Sequence, residues 1–227
     1  MNASAAVRST PGDTRQVALL HGLARTEQSM AVLAERLRSE GFSVCNVSYP
    51  SRDYPIVTLA RDYVLPALRD CFPDPAKPIH FVTHSLGGIV ARQLATIDAT
   101  INFGRVVMLS PPNKGSEVVD VLGDWWLFGV INGPAGRQLG TSPESVPNSL
   151  GPAPFELGVI TGSRTINLIL STLIEGRDDG KVSIESAKLA GMSDFMVMPV
   201  THPFIMRDDA VGEQALHFLH HGEFARE

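Results

Sequence analysis

The sequence predicts an α/β protein, a doubly wound, mostly parallel six-stranded sheet with helices on both faces. Three observations carry this expectation. Six short runs rich in Val, Ile and Leu recur along the chain, the segments between the first of them show helical spacing, and strand and helix alternate in a way that selects right-handed crossovers. The runs are QVALLHG (16–22), SVCNVSY (43–49), IHFVTHS (79–85), RVVMLSP (105–111), ELGVITG (156–162) and DFMVMPV (194–200). Their apolar character suits strands buried on both faces.

The elements between them follow in order. TEQSMAVLAERLRSEG puts Met30, Leu33 and Leu37 at helical spacing, with Thr26 as the expected N-cap and Gly41 as the expected C-cap. IVTLARDYVLPALRDC repeats the pattern, and Pro66 predicts a kink or break. The third run passes through THSLGG directly into the helical IVARQLATI. From Asn113 to Pro154 about forty residues carry no strand signal. They hold the apolar DWWLFGVI and then the Gly/Pro/Ser-rich GPAGRQLGTSPESVPNSLGPAP. So long a loop in a compact domain predicts a lid or cap-like insertion at 113–154. Trp125, Trp126, Leu127 and Phe128 either line a substrate pocket there or form a buried helical turn. The terminal EQALHFLHHGE reads as an amphipathic helix. No internal repeat interrupts a single domain spanning 1–227.

Composition sets the limits. The chain has 227 residues, 44% hydrophobic and 19% charged, which is enough to bury one large core. Its net charge of −5 comes without a long basic run, which argues against nucleic-acid binding. No uninterrupted apolar segment reaches the ~18 residues of a membrane helix. MNASAAVRSTPGDTRQ lacks an apolar signal core, so the chain as given is expected to be cytoplasmic. Cys45, in a predicted strand, and Cys71, at a helix end, are expected to be free buried thiols and not a disulfide or a metal pair.

The serine in THSLGG raises the question of chemistry. In an open parallel sheet, ligands bind beyond the carboxyl ends of the strands, where this tight strand-to-helix turn lies. The small residues around Ser85 let the backbone bend, and the helix N-terminus brings unpaired N–H groups and positive dipole near its hydroxyl. The alternative is that Ser85 serves only as an N-cap.

Thr83, His84, Ser85, Leu86 and Gly87 resemble the G-x-S-x-G nucleophile elbow of the α/β-hydrolase superfamily, with Thr83 in place of the first glycine. LLHGLART, VTHSLGGIVAR, SPPNKGS, DDGKVSIESAKL and THPFIM, in this order, resemble the small serine lipase and esterase branch over nearly the whole chain, least across 113–154. The resemblance implies the chain order Ser, acid, His. It points to Ser85 as nucleophile and His202, directly after the last predicted strand, as base; His217, His220 and His221 belong to the terminal helix. The acid falls in EGRDDGKVSIESA. Asp179, followed by Gly180, Lys181 and Val182, matches similar lipases better than Asp178, and Asp194 sits at the wrong end of the sheet. Oxyanion donors are implied at the backbone N–H groups of Leu86 and, from the HGL segment, Leu23; His21 is expected to hold that loop by hydrogen bonding.

These implications predict an acyl-enzyme mechanism that requires no metal or organic cofactor. The expected substrate is a small-molecule ester with a hydrophobic acyl or alcohol group. In the absence of a strongly amphipathic membrane-binding segment, a carboxylesterase is favoured over an interfacial lipase. The same residues would serve a thioesterase or an acyltransferase, and a non-catalytic binding scaffold is the alternative from another class.

Overall fold

A computed structural model describes residues 15–122, 133–165, 174 and 176–226. Six parallel strands form its sheet: β1 (Gln16–Leu20), β2 (Ser43–Val47), β3 (Ile79–His84), β4 (Phe103–Leu109), β5 (Leu157–Gly162) and β6 (Asp194–Met198). They lie side by side in the order β2-β1-β3-β4-β5-β6. The chain therefore builds outward from β1 to β2 and then returns to lay β3 on the other side of β1. The carboxyl ends of β1 and β3 flank this reversal, the place where an open α/β sheet forms a crevice.

The apolar runs are continuous because both faces are covered. Ala18, Leu20 and Phe81 pack on one face, while Val17, Leu19 and Val82 pack on the other, as the two-residue period of a strand requires. The first face is covered by α2 (Ile56–Thr58), α3 (Leu65–Cys71) and α4 (Leu86–Ile97). The second is covered by α1 (Ala31–Ser39) and, at the C-terminus, by the long helix Asp209–His221. Each fully buried Leu or Phe in these layers contributes about 1.5–3 kcal/mol of transfer free energy.

Helix ends follow the sequence closely but not everywhere. Gly41 takes a left-handed φ of 83° and Phe42 N–H donates to Leu37 O (3.0 Å), the bond of a Schellman ending. Thr26 precedes a 3₁₀ turn (Glu27–Met30), and its side chain caps nothing; its carbonyl instead accepts from Ser29 Oγ at 2.7 Å. Pro66 falls in the first turn of α3, and the widened π-helical stretch Leu59–Val64 joins α2 to α3 just before it. A wider turn is one way to absorb the missing donor and the bulk of a proline ring.

One expectation is overturned. Cys45 and Cys71 form a disulfide, with Cα atoms 6.0 Å apart. The last turn of α3 lies against β2, so the two side chains are brought together by helix-on-sheet packing 26 residues apart in sequence.

Residues 113–154 carry α5 (Glu117–Leu122), α6 (Val146–Ser149) and a helical stretch at 133–137, with no strand among their described residues. Trp125, Trp126, Leu127 and Phe128 lie outside the described residues. Both ends of the segment are tied to α4. The buried Arg92 donates to Asn113 O (3.2 Å), Asn113 Oδ1 (3.3 Å), Pro147 O (2.8 Å) and Gly151 O (2.7 Å), and Asn113 Nδ2 donates in turn to Ala187 O at 2.8 Å. Burial lowers the guanidinium pKa to about 10, so Arg92 stays charged at neutral pH, surrounded by carbonyl dipoles. The remaining helices are α7 (Ile184–Ala187) and α8 (Asp209–His221).

Candidate active site

Ser85 occupies the turn between β3 and α4 with φ 51° and ψ −119°. A non-glycine residue there stores strain of about 1–3 kcal/mol, which the surroundings must enforce. They do so on both sides: Ser85 N–H donates to Leu109 O (2.9 Å), and Gly88 N–H donates to Ser85 O (3.0 Å). Close approach of α4 explains the following glycine, because a Cβ on Gly87 would lie 2.4 Å from Leu20 O. Thr83 remains in regular strand register between Leu20 and Met108, so that position does not demand glycine.

His202 arrives on the loop after β6. Its Nε2 is 3.1 Å from Ser85 Oγ, and its Nδ1 is 2.8 Å from Asp179 Oδ2. Asp179 is fully buried on the loop after β5, where its other oxygen accepts from the N–H groups of Lys181 (3.1 Å) and Val182 (2.9 Å). The backbone joins the two loops as well, His202 N–H donating to Asp179 O at 2.9 Å. Burial alone would raise the Asp179 carboxyl. The electrostatic attraction and hydrogen bond of the His202 ring, the Ser110 hydroxyl and the Val182 amide outweigh it and hold the group below its ordinary range. Asp179 is thus ionised and oriented to accept from Nδ1, which leaves the Nε2 lone pair facing the serine.

The neighbouring candidates lie elsewhere. Asp178 Oδ1 closes the turn by accepting from Gly180 N–H (2.6 Å). Asp194, at the start of β6, pairs with Arg226 and accepts from Phe224 N–H (2.8 Å). His217 Nδ1 donates to Glu223 O (2.8 Å), and His220 Nδ1 accepts from Arg15 (2.6 Å), both away from Ser85. Among the described residues no group of three His, Cys, Asp or Glu side chains could hold a metal ion.

Leu23 lies on the loop after β1 and Leu86 opens α4. That loop is held by His21 and by two residues that follow β2, Tyr49 and Ser51. His21 Nδ1 donates to Gly22 O (2.9 Å), the His21 ring stacks on Tyr49 (4.0 Å between centroids), and Tyr49 O–H donates to His21 O. Ala24, with φ 55°, donates its N–H to Ser51 Oγ at 3.1 Å. Beside this loop opens a cleft of 690 Å³ lined by Ala24, Arg25, Tyr49, Ser51, Arg52 and Asp53.

A sequence profile of the alpha/beta hydrolase family matches residues 17–209, which include every element just described up to the start of α8. The chain belongs to this family. A comparison with curated protein sequences found no match. Among solved structures, the α/β hydrolase is similar to the mature form of the Bacillus licheniformis lipase BlEst2, with 17% identity, 94% of each chain covered and a TM-score of 0.68. It is also similar to the metagenomic carboxyl esterase MGS0156 (16% identity, 88% of this chain and 69% of that one, TM-score 0.62). A third likeness is to YbtT, the type II thioesterase of the yersiniabactin pathway (14%, 96% and 97%, TM-score 0.59). At these identities the likeness is one of fold.

One residue at the site escaped the sequence reading. His84, which filled a variable position of the elbow pattern, is buried, and its ring lies 5.0 Å from that of His202. The available signal was an ionisable side chain at the carboxyl end of a strand, next to the serine.

Proposed function

We propose that this α/β hydrolase is a serine hydrolase that cleaves carboxylic esters through an acyl-enzyme on Ser85. The hydrogen-bonded series from Ser85 Oγ through His202 to the buried Asp179 carries the reading. In this mechanism His202 Nε2 takes the Ser85 proton as Oγ attacks the ester carbonyl, and Asp179 stabilises the imidazolium that forms. The N–H groups of Leu23 and Leu86 receive the oxyanion, each such donor being worth about 3 kcal/mol. His202 then passes its proton to the departing alcohol. A water enters, gives a proton to His202, and attacks the acyl carbonyl; collapse releases the acid and returns the proton to Ser85.

The cleft beside the oxyanion loop mixes charged side chains (Arg25, Arg52, Asp53) with Ala24, Pro50, Tyr49 and Tyr63, and this would suit a substrate with both a polar and an apolar portion on that side. The Cys45–Cys71 disulfide favours work in an oxidising compartment over the cytoplasm expected from the sequence, since disulfides persist where thiols are not kept reduced.

Purified wild-type protein is expected to be labelled by a fluorophosphonate and to release p-nitrophenol from short acyl esters, with Ser85→Ala doing neither. An inert wild type in both assays would instead support a binding scaffold.

A further inference from the structure

We propose that His84 is a positioning residue that holds the backbone of the base loop to the nucleophile turn and so sets the distance between His202 and Ser85. The inference rests on the serine-hydrolase reading for its catalytic consequence, though the contact itself does not. His84 Nε2 lies 3.1 Å from the backbone oxygen of His202, 118 residues away. A carbonyl only accepts, so the ring proton is on Nε2. Nδ1 therefore carries a lone pair; it is buried without a partner among the described residues and faces Gly22.

The ring fills the junction of three elements. It extends from the residue beside the nucleophile, reaches the base loop through its hydrogen bond, and abuts the loop after β1 so closely that a Cβ on Gly22 would lie 2.7 Å from Nδ1 and 3.3 Å from Ser85 Cβ. Gly22 in HGL is thus explained by the ring it must clear. The His202 backbone is then held from two sides: its N–H by Asp179 O and its C=O by His84. Asp179 fixes the tilt of the His202 ring, and His84 fixes where the ring is mounted. A misplacement of about 1 Å at such a site costs up to roughly 100-fold in rate.

His84 suits the task because it stays uncharged. Burial, then the proximity of His202 and of the Arg25 and Lys181 cations, holds it neutral well below the ordinary histidine range, against the opposing pull of its bond to the His202 carbonyl. A cation at this position would oppose the imidazolium of His202 as it forms.

The test compares His84→Phe, which keeps the ring and loses the donor, with His84→Gln, which keeps a donor, on protein normalised by fluorophosphonate active-site titration. The expected result is a kcat for p-nitrophenyl butyrate at least tenfold lower in His84→Phe with KM within twofold of wild type, and recovery by His84→Gln to within threefold. Equal kcat in wild type and His84→Phe, or equal losses in the two variants, would overturn the proposal. A nitrogen-15 NMR measurement on wild-type protein serves if a variant does not fold: a neutral ring protonated on Nε2 from pH 5 to 8 is expected, and an Nδ1–H tautomer or an imidazolium would overturn the proposal. Failure of the wild type to label would refute the serine-hydrolase reading, and the NMR measurement would then decide the His84–His202 contact by itself.

Discussion

Asp178 and Asp179 are adjacent in sequence and take different tasks. Asp178 accepts from Gly180 N–H and shapes the turn, whereas Asp179 accepts from two other amides and reaches His202 Nδ1. Side-chain composition does not separate them; the direction of each carboxylate in the turn does. Asp179→Asn would leave the buried site nearly isosteric but remove the anion opposite the imidazolium and favour the wrong histidine tautomer. We expect kcat to fall about 10³- to 10⁴-fold. Asp178→Asn, whose amide oxygen still accepts from Gly180 N–H, is expected to keep kcat within about threefold. Steady-state kinetics on one short ester checks both, and a larger loss from Asp178→Asn would exchange their roles. The neighbourhood of Ser85 and His202 was legible at this scale because a turn with small residues and a strand-end loop leave few other places for the proposed nucleophile and base. His84 was not, because its partner is a backbone carbonyl on a distant loop.

Among the elements, α3 shows how packing overrides a local reading. Its cysteine was expected to be a free thiol because nothing in sequence links Cys71 to Cys45; the helix crosses β2 and supplies the link. The bond closes a loop that contains Tyr49 and Ser51, the two residues that brace the turn after β1 from outside. For a separation of 26 residues the loop-closure entropy removed from the unfolded chain is worth about 3.5 kcal/mol. Protein folded in an oxidising compartment should therefore show no alkylatable thiol when denatured without reductant. Its urea midpoint should fall on reduction, and an unchanged midpoint would show that the bond contributes no net stability. The 113–154 segment illustrates the opposite limit. Its lack of strand signal was legible, but its attachment through Arg92 depends on carbonyls that converge only after α4, α6 and α7 have packed.

For the whole molecule, the buried His21 and His84 and the half-buried His80 shape the response to acid. Burial lowers His21, His80 and His84, with His80 at about 4, so each binds its proton in the unfolded chain before it does in the fold. A depressed histidine pKa means that stability is retained above the unfolded value near 6.5 and declines as pH falls below it. Each unmatched proton costs about 1.4 kcal/mol per pH unit. Asp179, whose folded pKa is also depressed, adds its loss at still lower pH. Urea midpoints at pH 7.5, 5.5 and 4.5 should decline steadily from the first to the last, with a shallower decline in His80→Gln. A flat profile down to pH 4.5 would contradict neutral burial of these rings.

The sequence by itself determined the six strands, their parallel arrangement and the position of Ser85 at a strand end, because these follow from local apolar periodicity and turn chemistry. It also carried, through resemblance, the family to which the chain belongs. The resemblance pointed to Asp179, but only the tertiary structure gave the contact of Asp179 with His202, the pairing of Cys45 with Cys71, and the contact of His84 with the loop of His202. Those are relations between residues 23, 26 and 118 positions apart. Directional contacts at such separations are specified by the register and crossing of packed elements, and no local pattern in the chain encodes them.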